Sequence, residues 1–348
     1  MNRICTILNL RNHLPFGKAL EYFGWCDVYA TSRTQQITGL IGPNEDIDKL
    51  KIDFRQYDVL LLQHENRLDE YAARLAKKQN PNIVIIGNQH GYYKSILQIK
   101  HFPPDSYDYW NTWGQYWLDR SQKVLGRTPK KWINIGSYLH SYYYKTKKWQ
   151  PLKKNKKALV IYEPNTNESY QDPKPELHSS KTDAIIKALN ELDIPYDIKA
   201  HPLWANLKGN DGQSMWKPPK KMKDFAVDKI INYSLILGSR STLLFDAIAM
   251  GIPVIGIAIS ASWEDDEYAP QKLKLFPYTD NDKKLPHMIS KHFNKKINYN
   301  SQKVRYFLGD LNQTDKKYLA FCLKVAKHKK ETTSFNRIKN SIFKFFAR

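Results

Sequence analysis

Short apolar runs rich in β-branched residues alternate along this chain with longer stretches whose apolar residues recur every three or four positions. The first pattern reads as strands buried on both faces, the second as amphipathic helices. In the first half, strands are predicted at Ile4–Leu10, Asp27–Ala30, Val59–Gln63, Asn82–Gly87 and Tyr109–Trp113, with a shorter one over Trp132–Ile135. Helices are predicted over Phe16–Phe23, Arg67–Lys78 and Tyr116–Leu125. In the second half, strands read at Ala158–Tyr162, Asp197–Ala200, Leu235–Leu237 and Val254–Ile257, with helices over Lys181–Leu192, Lys221–Ile231 and Leu243–Met250. Strands that alternate with helices specify an α/β protein with parallel sheets. The 348 residues suit two domains of ordinary size. The basic, aromatic segment Tyr142–Lys157, with Pro151 inside it, reads as the link between them. The expected division is 1–150, 151–330 and a basic tail over 331–348.

The stretch Ile236–Gly256 carries the strongest chemical signal. A buried strand end runs into Gly238-Ser239-Arg240-Ser241-Thr242, then a helix that stops at Gly251, with Pro253 just beyond. The first N–H groups of a helix lack partners within it, and the helix dipole favours an anion there. Ser239, Ser241 and Thr242 can cap this helix or donate to phosphate oxygens, and Arg240 adds charge. An ordinary capped helix explains the same residues, so what precedes the turn matters.

About forty residues upstream, Pro195–Leu203 is a short strand that ends in His201-Pro202. Proline pushes the preceding residue out of the α region, which holds His201 extended at a strand's carboxyl end. Ligands of open α/β sheets bind outside those ends. A histidine there can donate to a phosphate near neutral pH. In the first half, the run Asn82–Gly87 leads to Gln89-His90-Gly91, again a histidine after a strand, followed by a glycine that admits close backbone approach.

The His-Pro, the Ser/Thr turn, the helix and the Gly-x-Pro-Val-Ile strand together resemble the carboxyl-terminal domain of GT-B glycosyltransferases. The likeness is to the bacterial surface-polysaccharide group: polysialyltransferases, capsule transferases and teichoic-acid polyol-phosphate polymerases. It covers roughly residues 155–260. The resemblance implies two Rossmann-like domains facing across a cleft, acceptor on the first and nucleotide donor on the second. It implies that His201, Ser239, Arg240, Ser241 and Thr242 hold the donor phosphate, often that of a cytidine nucleotide. It implies His90 as the base on the acceptor hydroxyl, so that His90 and His201 are the catalytic residues, with no metal and no cofactor beyond the donor itself. Gln89, Gly91, Glu163 and Asp246 are further candidate contacts to donor or acceptor. Asp246 stands where retaining GT-B transferases place a glutamate, which leaves a ribose-binding carboxylate open.

Composition changes this picture in two ways. Lys and Arg number 55 against 34 Asp and Glu, a formal charge of +21. Such a balance favours anionic partners. The last residues, from Phe335 to Arg348, mix bulky apolar and cationic side chains at helical spacing, the pattern of a helix that lies on a membrane surface. A lipid-linked acceptor and an anionic inner membrane face fit both features; a helix that packs on its own protein fits the second equally. The mixture of Tyr and Lys over Tyr138–Trp149 matches single-strand nucleic-acid binders, but no signature of such a binder accompanies it, and nucleic acid is disfavoured.

No run reaches the ~20 apolar residues that span a bilayer, and the first residues read as a strand rather than a signal peptide. Three separated cysteines, Cys5, Cys26 and Cys322, suggest neither a disulfide framework nor a zinc site, and a reducing cytoplasm is the simplest setting. The acidic stretch Trp263–Tyr268 and the Asp280-Asn281-Asp282 triplet read as solvated loop charge rather than metal ligands. Three readings therefore stand: a glycosyltransferase of envelope, capsule or lipopolysaccharide synthesis; a transferase of a polyol phosphate from a cytidine-diphosphate donor; and a non-catalytic glycan- or nucleic-acid-binding protein. A sugar-nucleotide 2-epimerase shares the fold, but Arg240-Ser241 replaces its usual Gly-Gly.

Overall fold

The structure, a computed structural model, describes residues 3–8, 14–30, 50–63, 67–89, 91, 107–126, 131–162, 180–200, 227–238, 241–257 and 273–346. The chain forms two compact units, one of residues 1–142 with 305–348, the other of residues 143–304. Residues from 305 onward thus belong with the amino-terminal unit, not with the stretch from 151 that precedes them.

In the first unit the strands are β1 (Ile4–Leu8), β2 (Asp27–Ala30), β3 (Val59–Leu62), β4 (Val84–Asn88), β5 (Tyr109–Asn111) and β6 (Trp132–Ile133). They form one parallel sheet in the order β2-β1-β3-β4-β5-β6. The chain leaves β1 for β2 on one side and then continues through β3 on the other. The topological switch therefore lies between β1 and β3, where open sheets bind ligands beyond the strand ends. Among the described residues the helices of this unit are α1 (Leu14–Phe23), α2 (Arg67–Gln79), α3 (Gln115–Leu125), the first part of α4 (Tyr138–Thr146), the last turn of α8 (Ser301–Leu308) and α9 (Thr314–Phe346). Small residues Ala72, Ala73 and Ala76 bring α2 close to the sheet, where they share a core with Leu60, Leu62 and Ile85. The expected strand over Trp132–Ile135 stops at Ile133, because the Ile135 N–H is taken by the Asn111 side chain (3.0 Å).

The second unit contains β7 (Ala158–Tyr162), β8 (Tyr196–Ala200), β9 (Leu235–Gly238), β10 (Val254–Ile257) and β11 (Tyr278–Thr279), all parallel, in the order β11-β10-β9-β7-β8. Its switch lies between β7 and β9. Helices α5 (Ser180–Glu191) and α7 (Leu285–His292) pack on one face, where Ile185, Leu189, Leu285 and Ile289 meet Val160, Ile198, Leu237 and Ile255. Helix α6 (Thr242–Met250) connects β9 to β10.

The boundary between the two units, after residue 142, falls at the start of the expected link Tyr142–Lys157. That segment begins inside α4, and Trp149 is buried, its N–H on the Met250 carbonyl (3.0 Å) and its indole Nε1 on the Tyr233 carbonyl (2.8 Å). Of the predicted helix over Lys221–Ile231, the described part is a 3-10 helix over Val227–Asn232, and residues 221–226 lie outside the described residues. The basic tail forms the end of a 33-residue helix, α9.

Candidate functional site

In the second unit the site begins at the carboxyl end of β9, beside the switch point. All four residues of β9 are buried, and the strand ends at Gly238. A Cβ at Gly238 would lie 2.9 Å from the Ile161 Cβ, so only glycine lets β9 approach β7 this closely. Ser241 then caps α6: its backbone is extended (φ −87°, ψ 141°) and its Oγ accepts from the Leu243 N–H at 3.2 Å. An oxygen that accepts this bond still carries a hydroxyl proton that can be donated to an anion. Ser241 and Thr242 are half-buried, whereas Leu243 to Met250 are buried. The buried set includes Asp246, one turn into the helix and 5% exposed. Gly251, in the left-handed region (φ 80°), ends α6 as its glycine position predicts. Ser239, Arg240, His201 and Glu163 lie outside the described residues, as does the Trp263–Tyr268 stretch.

In the first unit His90 also lies outside the described residues, but the residues on either side of it do not. Gln89 is 2% exposed, at the end of β4, one strand from the switch point. Its side-chain Nε2 donates to the Gly91 carbonyl (2.9 Å), and its Oε1 accepts from the Trp113 N–H (3.1 Å). Its backbone carbonyl accepts from the Trp113 indole (2.7 Å) and its N–H bonds the Asn111 carbonyl (2.9 Å). Both ends of the Gln89 amide thus have protein partners, the Gly91 carbonyl on one side and the Trp113 N–H on the other. The Trp113 ring in turn meets the buried His140 edge-on, with centroids 4.7 Å apart.

The structure adds a layer of buried amides that no sequence motif marks. Three neighbouring strands end in one: Gln63 after β3, Asn88 in β4, Asn111 in β5. Gln63 donates to the Thr6 hydroxyl (3.2 Å) and accepts from the Tyr138 phenol. Asn88 donates to the Leu62 carbonyl (3.1 Å) and accepts from the Tyr318 phenol (2.6 Å) and from Asn111 (3.3 Å). Asn111 reaches on to the Gly136 carbonyl (2.9 Å). Burial, the largest influence on both, pushes the Tyr138 and Tyr318 phenols well above the usual tyrosine value, so neither serves as a base near neutral pH. Their role is to hold the strand ends, and through Tyr318 to hold α9, in one polar layer. The signal was in the sequence, as an amide closing each of three apolar runs.

Among the described residues, no three His, Cys, Asp or Glu side chains gather as a metal site. The Asp280-Asn281-Asp282 triplet is structural: Asn281 caps a short 3-10 helix and accepts from the Lys283 N–H (3.0 Å). Likewise no helix is long and apolar enough to cross a membrane among those residues.

Solved structures share this arrangement. The wall teichoic acid polymerase TagF matches at a TM-score of 0.52 and 12% identity, over 95% of this chain and 90% of that one. A variant of the same polymerase soaked with CDPG for 30 minutes matches at 0.50, with the same identity and coverage. The chain has the GT-B fold. A UDP-GlcNAc 2-epimerase of Methanocaldococcus jannaschii, in complex with UDP-GlcNAc and UDP, matches at 0.48 and 14% identity, over 92% of this chain and 99% of that one. No protein-family model and no curated protein matches the sequence. The GT-B fold places a parallel α/β sheet in each half of the chain, which is where the two histidine-bearing strand ends were expected.

Proposed function

We propose that this chain is a metal-independent transferase that takes a sugar from a nucleotide-activated donor, a cytidine nucleotide in the favoured case, and passes it to a cell-surface glycan or lipid-linked acceptor. One observation carries the reading. At the switch point of the second sheet, a strand that only glycine can end this tightly opens into a helix whose cap is a half-buried serine hydroxyl. That combination supplies N–H donors, a dipole and a hydroxyl where a phosphate would bind. In this reading the donor phosphate rests on Ser241 and Thr242, with Ser239, Arg240 and His201 completing its hold. As the bond to the donor breaks, the leaving phosphate gains charge, and donors already in place stabilise it without reorganising. His90, which stands between Gln89 and Gly91 in the sequence, removes the proton from the acceptor hydroxyl.

Transfer of a polyol phosphate is the second reading, supported by the clamped Gln89-His90-Gly91 element and by the likeness to a polymerase studied with CDPG. It uses the same residues and differs in whether phosphorus or an anomeric carbon is attacked.

A thermal-shift titration with CMP, CDP, UMP, UDP, GDP and ADP tests both. A nucleotide at about a hundred times its dissociation constant stabilises a fold by about 2.7 kcal/mol. Stabilisation by one nucleotide in the wild type, lost in His201→Ala, is expected. No shift with any of them would return the weight to a non-catalytic binding protein.

A further inference from the structure

Two lysine-rich segments, far apart in the sequence, are fastened together at one end of the second unit. Between Tyr143 and Tyr162 the chain carries seven lysines and no Asp or Glu; between Lys283 and Asn300 it carries five lysines, two histidines and again no acid. Asn294 joins them. Its Oδ1 accepts from the Leu152 N–H (2.6 Å) and its Nδ2 donates to the Leu152 carbonyl (2.9 Å). Its own N–H reaches the Ser234 carbonyl (3.1 Å), and the Ser234 N–H reaches the Lys157 carbonyl (2.7 Å). Lys153, Lys154, Lys156, Lys291, Lys295 and Lys296 are all exposed around this junction. Among the described residues the junction's ion pair is Lys157 with Asp197 (3.7 Å); Glu191 and Asp193, on the turn into β8, and Asp228, in the 3-10 helix before β9, are further acids at this end. The positive field is felt by His292: burial first, then Lys291, Lys295 and His287, hold it below the usual imidazole value.

Position separates this patch from the donor site. Residues 157 and 234 immediately precede β7 and β9, so the lysines surround the amino-terminal end of the sheet, whereas Gly238 and Ser241 follow its carboxyl end. Strands of four or five residues separate the two ends by about 15 Å.

We infer that this end of the second unit docks on an anionic lipid surface. Lysines present hydrated point charges without the planar fork that selects individual phosphates, which suits a diffuse anionic plane. Of the rings within the two segments, Trp149 is buried and Phe293 and Tyr299 are half-buried, the latter with its hydroxyl on the Ile252 carbonyl; Tyr144, in α4, is exposed. Single-stranded nucleic acid would need a row of such rings as stacking platforms, not one. The patch is independent of the α9 tail and of the nature of the donor.

Vesicle co-sedimentation of the full chain tests it, with phosphatidylcholine vesicles made with and without phosphatidylglycerol. The expected result is binding only when the anionic lipid is present. Each lysine at an anionic leaflet is worth about fivefold in partitioning, so the Lys153→Gln, Lys154→Gln, Lys156→Gln triple lowers binding about a hundredfold. The Lys291→Gln, Lys295→Gln, Lys296→Gln triple lowers it by a similar factor, because the two segments form one patch. A control triple on α9 (Lys316→Gln, Lys317→Gln, Lys324→Gln) removes the same charge and leaves binding within about threefold. Melting temperatures and nucleotide binding of the patch variants stay at wild-type values; should one triple fail to fold, the other decides. Equal loss in the control, no loss in either patch triple, or capture of an oligonucleotide or inorganic polyphosphate without any on vesicles would overturn the inference.

Discussion

Asn294 holds Leu152 as a neighbouring strand would, accepting from its N–H and donating to its carbonyl across 142 residues of sequence. The same Oδ1 lies 3.2 Å from the Ser234 hydroxyl, and the Asn294 backbone is left-handed (φ 54°). Asparagine tolerates that region better than most side chains do. Asn294→Ala therefore loses three polar contacts and adds backbone strain, an expected cost of about 2–3 kcal/mol. Asn294→Gly removes the contacts but not the favourable backbone, and falls between the two. Urea midpoints of the three proteins check the order; an alanine variant as stable as wild type would mean the clamp contributes nothing.

Gln89 makes a separate prediction about chemistry. Its side chain bridges from Gly91 to Trp113, so Gln89→Leu keeps the volume but frees the backbone on both sides of His90. Misplacing a catalytic group by about 1 Å costs on the order of a hundredfold. Turnover is expected to fall by that order with donor affinity unchanged, so that kcat moves while the donor KM does not. His90→Ala lowers turnover further without affecting nucleotide binding. Loss of nucleotide binding in Gln89→Leu would show that the residue acts on the fold at large rather than on His90.

Asp108 links α9 to the first sheet and gives a pH dependence. Its carboxylate meets Lys77 (2.6 Å), Lys329 (2.9 Å) and the Ile85 N–H (2.8 Å). Burial alone would raise its pKa, but those hydrogen bonds outweigh burial and hold it below the ordinary carboxylate value. A depressed carboxylate contributes stability that is present above its unfolded value, about 3.9, and lost as pH falls through the folded one. Lys77 is shifted in the same direction for a different reason. Burial lowers it to about 8 against the pull of Asp108. Between there and about 10.4 the unfolded chain holds more protons, so this group makes stability rise with pH. Asp108→Asn should cost about 2 kcal/mol at pH 7 by leaving two half-buried ammonium groups without their carboxylate. The difference from wild type should shrink as pH falls below about 4, measured by urea unfolding across that range.

Most strands and the helices on either side of them could be read from periodicity, because parallel strands buried on both faces are continuous apolar runs such as Val59–Leu62 and Val254–Ile257. The caps of α6 followed from residue type alone, since Ser241 and Gly251 are the residues that the two ends of a helix require. The long helix α9 did not stand out. It begins in one amphipathic pattern, with Tyr318, Cys322, Val325 and Ala326 buried, and runs into a lysine-rich stretch with weaker periodicity. Its membership of the first unit is set by long-range contacts, chiefly Tyr318 on Asn88 and Lys329 on Asp108, that no local pattern encodes. Gln89 is legible in the sequence as the neighbour of His90, but its bond to Trp113 depends on a residue just past another strand.

Ser241 can act as a helix cap, as a phosphate ligand, or as both, and three substitutions separate these roles. Ser241→Ala loses the bond to the Leu243 N–H and the hydroxyl together, so it should cost about 1 kcal/mol of stability and weaken nucleotide binding. Ser241→Asp retains a cap of equal quality and puts a negative charge where the donor phosphate is proposed to sit. It should melt at or above the wild-type temperature and yet show no nucleotide-induced shift. Thr242→Val, at the first helical residue, keeps shape and removes a hydroxyl, and should weaken nucleotide binding. If Ser241→Asp binds nucleotide as tightly as wild type, the anion does not rest on this helix, and Ser241 is a cap alone.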